Sequence, residues 1–594
     1  MNKRLNLLSI VSRHWEIFLL ILGWALYFVV KFAGPLLVTR LFADNSWNLL
    51  NSLTASQGQQ TLDFYQGLMQ DLVIGPMIQT LSFVLLALML GRYCQGVSFK
   101  VFALIIFIFL LITKWEVLLF PPYGDAIGGP FAEALWLFEH NFDYVGLFYQ
   151  PTFTVGGPRV YFFSIYPGFL ALTFRAIPWT QVFLVFHHLL TFSLAAGIIA
   201  MVREYSRKFF DSVLAILVAL ILLALPVFQS QAEAINMEMP VAFFVMWSAY
   251  AFSRKHWGQG TFFAAIAATV KGLGVIACGC AVIILCVAAF GARELKERLK
   301  LFSLALISAI TGAFIVGAKF FFHDTHVQQG MVQLDAGWPS LKKEFIFYLF
   351  ILASVLFLLH SIRSVLMKRK PDVWVPGILF LYAAGWFALF LNFYAVSPRY
   401  RVTLYPFLVL CAAYAVVLVF KWKIAQRIVA VIVMVAACVC SYGSFYGGMV
   451  ENDHVLLERS LEYRNDLILN RRLIAVAQER YSDQLIVAPF TLAQALAIPQ
   501  LGYVNKKLKV MIYGFGIKYG NIANYPGLRN LNLRRTVFVG VKVAPVWENF
   551  SYPVGPHDFI LEKIAVGNKE ASFFRGGVAI ESLWRIMHGV ELKD

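Results

Sequence analysis

The chain has 594 residues, of which 60% are hydrophobic and only 14% charged, and it carries a formal charge of +17. Its mean hydropathy is +0.70. Soluble globular proteins average about 45–50% apolar and about 25% charged residues, so these values exclude that class and indicate a polytopic membrane protein.

Apolar runs of spanning character fall at 15–38, 76–93, 101–120, 180–202, 209–227, 239–253, 260–270, 273–290, 301–321, 345–361, 374–392, 402–420 and 428–446, about thirteen in all. The first follows Lys3, Arg4 and Arg13 and has no small-residue cleavage pattern after it, so it reads as a retained helix. The 260–270 piece is short because Lys271-Gly272 interrupts a longer run. The predicted fold class is a polytopic α-helical membrane protein with about thirteen spans and a C-terminal extracytoplasmic α/β domain. Its expected parts are 1–100 (first spans and first outer loop), 101–446 (the transmembrane catalytic module, with interfacial helices in 121–179) and 447–594 (the soluble domain).

The basic residues set the orientation. Lys3/Arg4/Arg13, Arg92/Lys100, Arg203/Arg207/Lys208, Arg254/Lys255, Arg293 to Lys300, Arg363 to Lys370 and Lys421 to Arg427 all fall on one side of this arrangement, the side expected to be cytoplasmic. Much of the positive charge is thus a topology signal, and no nucleic-acid partner is expected. The opposite face of a plasma (inner) membrane receives the segments near 39–75, 121–179, 322–344 and everything after 447.

That last region changes character. A polar helix is predicted over 451–481, then strands in "QLIVAPF", "LKVMIYG" and "TVFVGVKV", a helix in "TLAQALAIPQLGY", and a closing hairpin from "DFILEKIAVG" and "ASFFRGGVAI". Alternating strands and helices indicate a small α/β unit. The seven cysteines lie in or beside apolar runs, with neither a disulfide framework nor zinc-type spacing, and read as helix-packing residues.

Chemistry gathers on the outer face. "PPYGDAIGGPFAEALWLF" places a lone carboxylate, Asp125, at the mouth of a span, before a Gly-Gly-Pro turn in which Pro130 suits a first helical position. The helix that follows is apolar at Phe131, Leu135 and Phe138 and is expected to lie in the interface plane. "PTFTVGGPRVYFFSIYPGFLALTF" brings a second such turn, Arg159, Tyr161 and another interfacial helix ending near Arg175. The loop "QSQAEAINMEMPVAFF" adds Glu233 and Glu238, the helix break adds Lys271, and "NFYAVSPRYRVTLYPF" adds Arg399, Tyr400 and Arg401. A single such residue snorkels or is solvated. Their number, on the face that should be poor in cations, points to a site for a phosphate-bearing lipid: cations hold phosphate and a carboxylate handles a proton.

Four stretches also resemble a known family. "GDAIGGPFAEALWLFEHNFDY", "INMEMPVAFFVMWSAYAF", "AAIAATVKGLGVIACGCAVIIL" and "SPRYRVTLYPFLVLCAAYA" are similar, in order and on the expected face, to motifs of the GT-C superfamily of membrane glycosyltransferases. The nearest branch holds protein O-mannosyltransferases and the lipid A aminoarabinose transferase. The resemblance covers roughly 100–450. It implies an inverting glycosyltransferase that moves a sugar from a polyprenyl-phosphate-linked donor to a glycan, glycolipid or protein acceptor outside the cytoplasm.

It further implies Asp125 as catalytic carboxylate and Lys271, Arg159, Arg399, Arg401 and Tyr400 as donor-phosphate ligands. Glu238, Glu233 and Tyr161 are then assigned to the sugar or acceptor. The chain departs from the pattern in three ways. Ala126 stands where many relatives have a second acid, Gly-Gly-Pro-Arg replaces a basic-Pro-Pro turn, and two spans precede the catalytic loop beyond the single usual one.

No cofactor is expected. His323, Asp324 and His326, with Asp335 nearby, are weak metal candidates, since the resembled branch implies no metal. No phosphate-binding loop or dinucleotide fingerprint occurs, which agrees with a lipid-linked donor. Two alternatives stay open from the residues: a glycan ligase or polymerase using a lipid-diphosphate-linked donor, and a lipid or glycan transporter. Against transport stand the lack of an internal repeat and the one-sided polar cluster.

Overall fold

The computed structural model describes residues 15–25, 29, 75–94, 96–124, 126–150, 155, 157, 164–322, 345–366, 374–391, 398–442, 463–513, 536–542, 559–566 and 569–575. Among them the fold is a bundle of apolar helices with a mixed sheet formed by the C-terminal segments.

Helices occupy the apolar runs in chain order: Gly75–Tyr93, Phe99–Thr113, Thr180–Ser206, Ser212–Ala224, Glu238–Ser253, Trp257–Val270, Val275–Gly291, Leu295–Phe322, Phe345–Leu366, Trp374–Leu391, Tyr405–Val419 and Lys423–Tyr442. Among the described residues, four stretches are long and apolar enough to cross a membrane: Gly75–Tyr93, Thr180–Ser206, Gly272–Gly291 and Leu295–Ala318. The bent pair Ser212–Ala224 and Pro226–Glu233 makes a fifth if counted as one broken span. Their exposed Leu, Ile, Val and Phe side chains suit contact with lipid tails, while small residues let helices approach. Cys278 and Cys280 act in this way, their thiols lying 3.5 and 3.8 Å from the carbonyls of Ala264 and Leu381 on neighbouring helices.

Two expectations are corrected. The stretch after the 209–227 run was expected to be a loop. It is a second helix, Pro226–Glu233, bent by 71° from Ser212–Ala224. Pro226 lacks an N–H and cannot continue the first helix, but its fixed φ suits the start of the next. The second correction concerns Pro130, expected to open the first interfacial helix. It lies inside a wide helical turn, Ile127–Phe131, which runs into Ala132–Glu139 through the non-helical angles of Gly129. Of the apolar positions expected there, Phe131 and Leu135 are buried and Phe138 is exposed, while Glu133, expected on the polar side, is buried.

The sheet has strands β1 (Leu485–Pro489), β2 (Val510–Tyr513), β3 (Thr536–Lys542), β4 (Phe559–Val566) and β5 (Lys569–Arg575), in the order β2-β1-β3-β5-β4. β1 pairs parallel with β2 and β3, and β3, β5 and β4 run antiparallel. β1 lies inside the sheet, between β2 and β3, and Ile486, Val487 and Ala488 are all buried, the continuous apolar pattern expected of a strand covered on both faces. Helix Tyr463–Arg480 precedes the sheet and Phe490–Ala497 follows β1.

Candidate functional site

A helix break builds the centre of the site. Trp257–Val270 ends at Lys271, whose backbone is extended (φ −151°, ψ 135°). A single turn, Gly272–Gly274, follows, and Val275–Gly291 resumes the helix. The break is closed by the Gly274 amide donating to the Lys271 carbonyl at 2.7 Å. A Cβ at Gly274 would stand 2.1 Å from the Ala267 carbonyl oxygen, so this turn requires glycine.

The Lys271 ammonium then meets Glu238, with Nζ 2.5 Å from Oε1. Glu238 is the first residue of Glu238–Ser253, where the helix dipole favours a carboxylate. Arg399, in the turn Pro398–Thr403, brings its Nε within 3.3 Å of the same oxygen. The Tyr400 ring lies under both cations, 4.1 Å from Lys271 Nζ and 5.2 Å from the Arg399 guanidinium carbon. Glu238, Lys271, Arg399 and Arg401 are all at most 5% exposed. Glu238 Oε2 accepts no hydrogen bond among the described residues.

The outer loop closes on this cluster. Ser164 Oγ donates to the Val270 carbonyl at 2.6 Å, and the Ile165 amide to the Thr269 carbonyl at 2.9 Å. Ser164 also approaches Met237 Sδ, at 3.7 Å. The chain is thereby tied to the residues just before Lys271 and Glu238. Tyr166 opens the next helix buried beside them, and burial, then the Glu238 charge, raises its phenol pKa, so it stays protonated. Arg159 and Tyr161, expected in this site, lie outside the described residues. So do Asp125 and the weak metal candidates His323, Asp324 and His326. Among the described residues no three His, Cys, Asp or Glu side chains come together.

Glu233, expected beside Glu238, belongs to a second buried cluster. Lys114 forms an ion pair with its Oε1. Tyr463 donates to Oε2 at 2.9 Å, and Arg464 Nε does so at 2.8 Å. Arg464 also reaches Glu116 through Nη1 at 2.7 Å. Burial on its own lowers the Arg464 pKa, but the Glu233 charge and the other partners raise it further, so the guanidinium stays charged. Burial holds the Tyr463 phenol well above its usual pKa, with the Glu233 charge adding to the rise.

Both Glu233 oxygens are therefore taken by protein groups, which fits a structural anchor better than contact with a sugar. The sequence reading does not single out Lys114, Glu116, Tyr463 or Arg464. Lys114 and Glu116 do carry a signal, being two charges inside a run read as one apolar span, 101–120.

Residues 121–124, which follow Lys114 and Glu116 in the chain, are all buried, with Gly124 at φ 60°. They lead directly to Asp125 in the sequence. No family model matches the chain, and no curated protein matches it. The solved structures to which the chain is similar include two of one protein. One is ArnT from Cupriavidus metallidurans bound to undecaprenyl phosphate, with a TM-score of 0.43, 12% identity, and coverage of 79% of this chain and 97% of that chain. The other is ArnT from the same organism in the apo state, with a TM-score of 0.45, 12% identity and the same coverage.

Proposed function

We propose that the chain is an inverting glycosyltransferase of the GT-C type, taking its sugar from a polyprenyl-phosphate-linked donor at the extracytoplasmic face of the membrane. The observation that carries this reading is the shared Glu238 oxygen. Two buried cations, Lys271 and Arg399, sit at 2.5 and 3.3 Å from it, at the ends of apolar helices and beside an outer loop. Buried cations at the ends of apolar helices suit a phosphate ligand, and a lipid phosphate is the anion that arrives from the bilayer side.

In this reading Lys271 and Arg399, with Arg401, Arg159 and Tyr400, hold the donor phosphate. They stabilise the charge that develops on the leaving lipid phosphate as the anomeric C1–O bond breaks. Asp125 takes the proton of an acceptor hydroxyl aligned with that bond, and a single displacement inverts the anomeric carbon. Holding donor and acceptor together supplies part of the rate. Tyr161 and the free edge of Glu238 face the sugar. The basic residues at the other helix ends, Arg203, Arg207 and Arg254 among them, support a cytoplasmic N-terminus by the positive-inside rule.

The test uses purified protein in lipid vesicles, a panel of polyprenyl-phosphate sugars with cell-derived acceptors, and release of free polyprenyl phosphate as readout. Turnover in wild type and its loss in folded Asp125→Asn is the expected result. Equal turnover in both removes Asp125 from the chemistry. No turnover with any monophosphate donor overturns the donor assignment.

A further inference from the structure

The second cluster is a mutually hydrogen-bonded network: Lys114 and Arg464 pair with Glu233, Arg464 also pairs with Glu116, and Tyr463 donates to Glu233. It joins chain segments. Lys114 and Glu116 follow helix Phe99–Thr113, Glu233 ends Pro226–Glu233, and Tyr463 and Arg464 open the first described helix of the C-terminal region.

The same C-terminal region reaches the outer loop at two further points. Tyr503 OH donates to the Pro122 carbonyl at 2.8 Å, and Gln494 Nε2 donates to the Gly157 carbonyl at 3.1 Å. The Tyr463 and Tyr123 rings pack at 5.8 Å. From the membrane side, His188 Nε2 lies 2.9 Å from the Phe120 carbonyl. The stretch 120–124 is thus held between the helix bundle and the C-terminal region, immediately before Asp125.

We propose that Tyr503 and Arg464, with Tyr463, are positioning residues for the proposed transfer reaction: they fix residues 121–124 and through them the aim of Asp125. The inference rests on the glycosyltransferase reading and adds to it that the C-terminal region is a working part of the catalytic end. A displacement of about 1 Å at a reacting group lowers rates by on the order of 100-fold, so a loose hold on this stretch acts on chemistry before it acts on binding.

The test compares Tyr503→Phe, Arg464→Ala and Arg464→Lys with wild type, as full-length protein in lipid. Hydrogen exchange of the peptide covering residues 118–132 is read first, since it needs no activity. Loss of the Tyr503 hydrogen bond should speed exchange there by about 3- to 10-fold, with helix Trp257–Val270 unchanged. Unchanged exchange in both Tyr503→Phe and Arg464→Ala overturns the proposal, whatever the enzyme's donor is.

With a donor in hand, kcat should fall on the order of 10- to 100-fold in Tyr503→Phe and Arg464→Ala, with the donor KM within about twofold of wild type and partial recovery in Arg464→Lys. In the Asp125→Asn background Tyr503→Phe should cost nothing further, because the two act through one group. Equal losses in kcat and donor affinity, or full additivity with Asp125→Asn, overturn the positioning role. Absence of turnover in wild type bears on the donor reading alone and leaves the exchange result standing.

Discussion

Lys271 Nζ sits between two partners of different kind, 2.5 Å from Glu238 Oε1 and 4.1 Å from the centre of the Tyr400 ring. The carboxylate neutralises it and the ring face attracts it without supplying a formal charge. Replacing Lys271 by Gln removes the ammonium but keeps a polar group of similar length, and Arg399 still partners Glu238. The folded protein should survive. Affinity for polyprenyl phosphate should fall on the order of 10- to 100-fold, the usual range for one hydrogen bond between charged groups. Titration calorimetry with undecaprenyl phosphate in micelles checks this, and an unchanged Kd removes Lys271 from the donor site.

Glu238→Gln asks the reverse question. It leaves Lys271 and Arg399 buried side by side with the shared anion gone. Breaking a buried ion pair from one side costs about 3–5 kcal/mol. An added phosphate restores a negative charge between the cations. The unliganded variant should therefore melt well below wild type, and polyprenyl phosphate should raise its Tm by more than it raises that of wild type. An equal ligand-induced shift in the two proteins would separate the phosphate from Glu238.

Lys271, Glu238 and Arg399 are legible in the sequence because membrane sequences are unusually explicit. An apolar run long enough to be helical in lipid has little else it can be, so the helices from Gly75–Tyr93 to Lys423–Tyr442 occupy the expected runs. Charged residues at their ends stand out, as Lys271 does at its Gly-flanked break. The strands β1 to β5 are legible for a related reason, their short apolar runs being bounded by turn residues.

The second cluster is much harder to see. Arg464 is one of several arginines in a polar helix, and nothing local marks it as the one that reaches Glu233 and Glu116. Their pairing spans more than a third of the chain and depends on how the C-terminal region docks. Nearness in sequence groups Glu233 with Glu238. The extended backbone after helix Pro226–Glu233 instead separates them into different clusters.

Gly274→Ala tests whether the helix break sets the position of Lys271. A Cβ would come within 2.1 Å of the Ala267 carbonyl oxygen and 2.3 Å of its carbon, both backbone atoms that cannot rotate aside. The turn Gly272–Gly274 must open, and the Lys271 carbonyl that accepts from the Gly274 amide moves with it. Overpacking of this kind costs about 1–3 kcal/mol. Donor affinity should fall as in Lys271→Gln although every charged residue is retained. A variant with normal donor binding would mean that the break tolerates rearrangement without moving the ammonium.

The hold of the C-terminal region has a defined pH dependence. The Tyr463 phenol donates to Glu233 Oε2 at 2.9 Å and can do so only while protonated. Burial, followed by the Glu233 charge, raises its pKa above the usual value of about 10. A folded-state pKa raised above the unfolded one gives stability that is fully present below the unfolded value and is lost as pH climbs through the folded one. The stability difference between wild type and Tyr463→Phe should therefore be constant from pH 7 to about 9.5, and should shrink only above about 10. Thermal unfolding of both proteins in lipid nanodiscs across that range measures it. A difference that stays constant well above about pH 10 would mean that the phenol titrates as it does in the unfolded chain, and the buried contact with Glu233 would have to be abandoned.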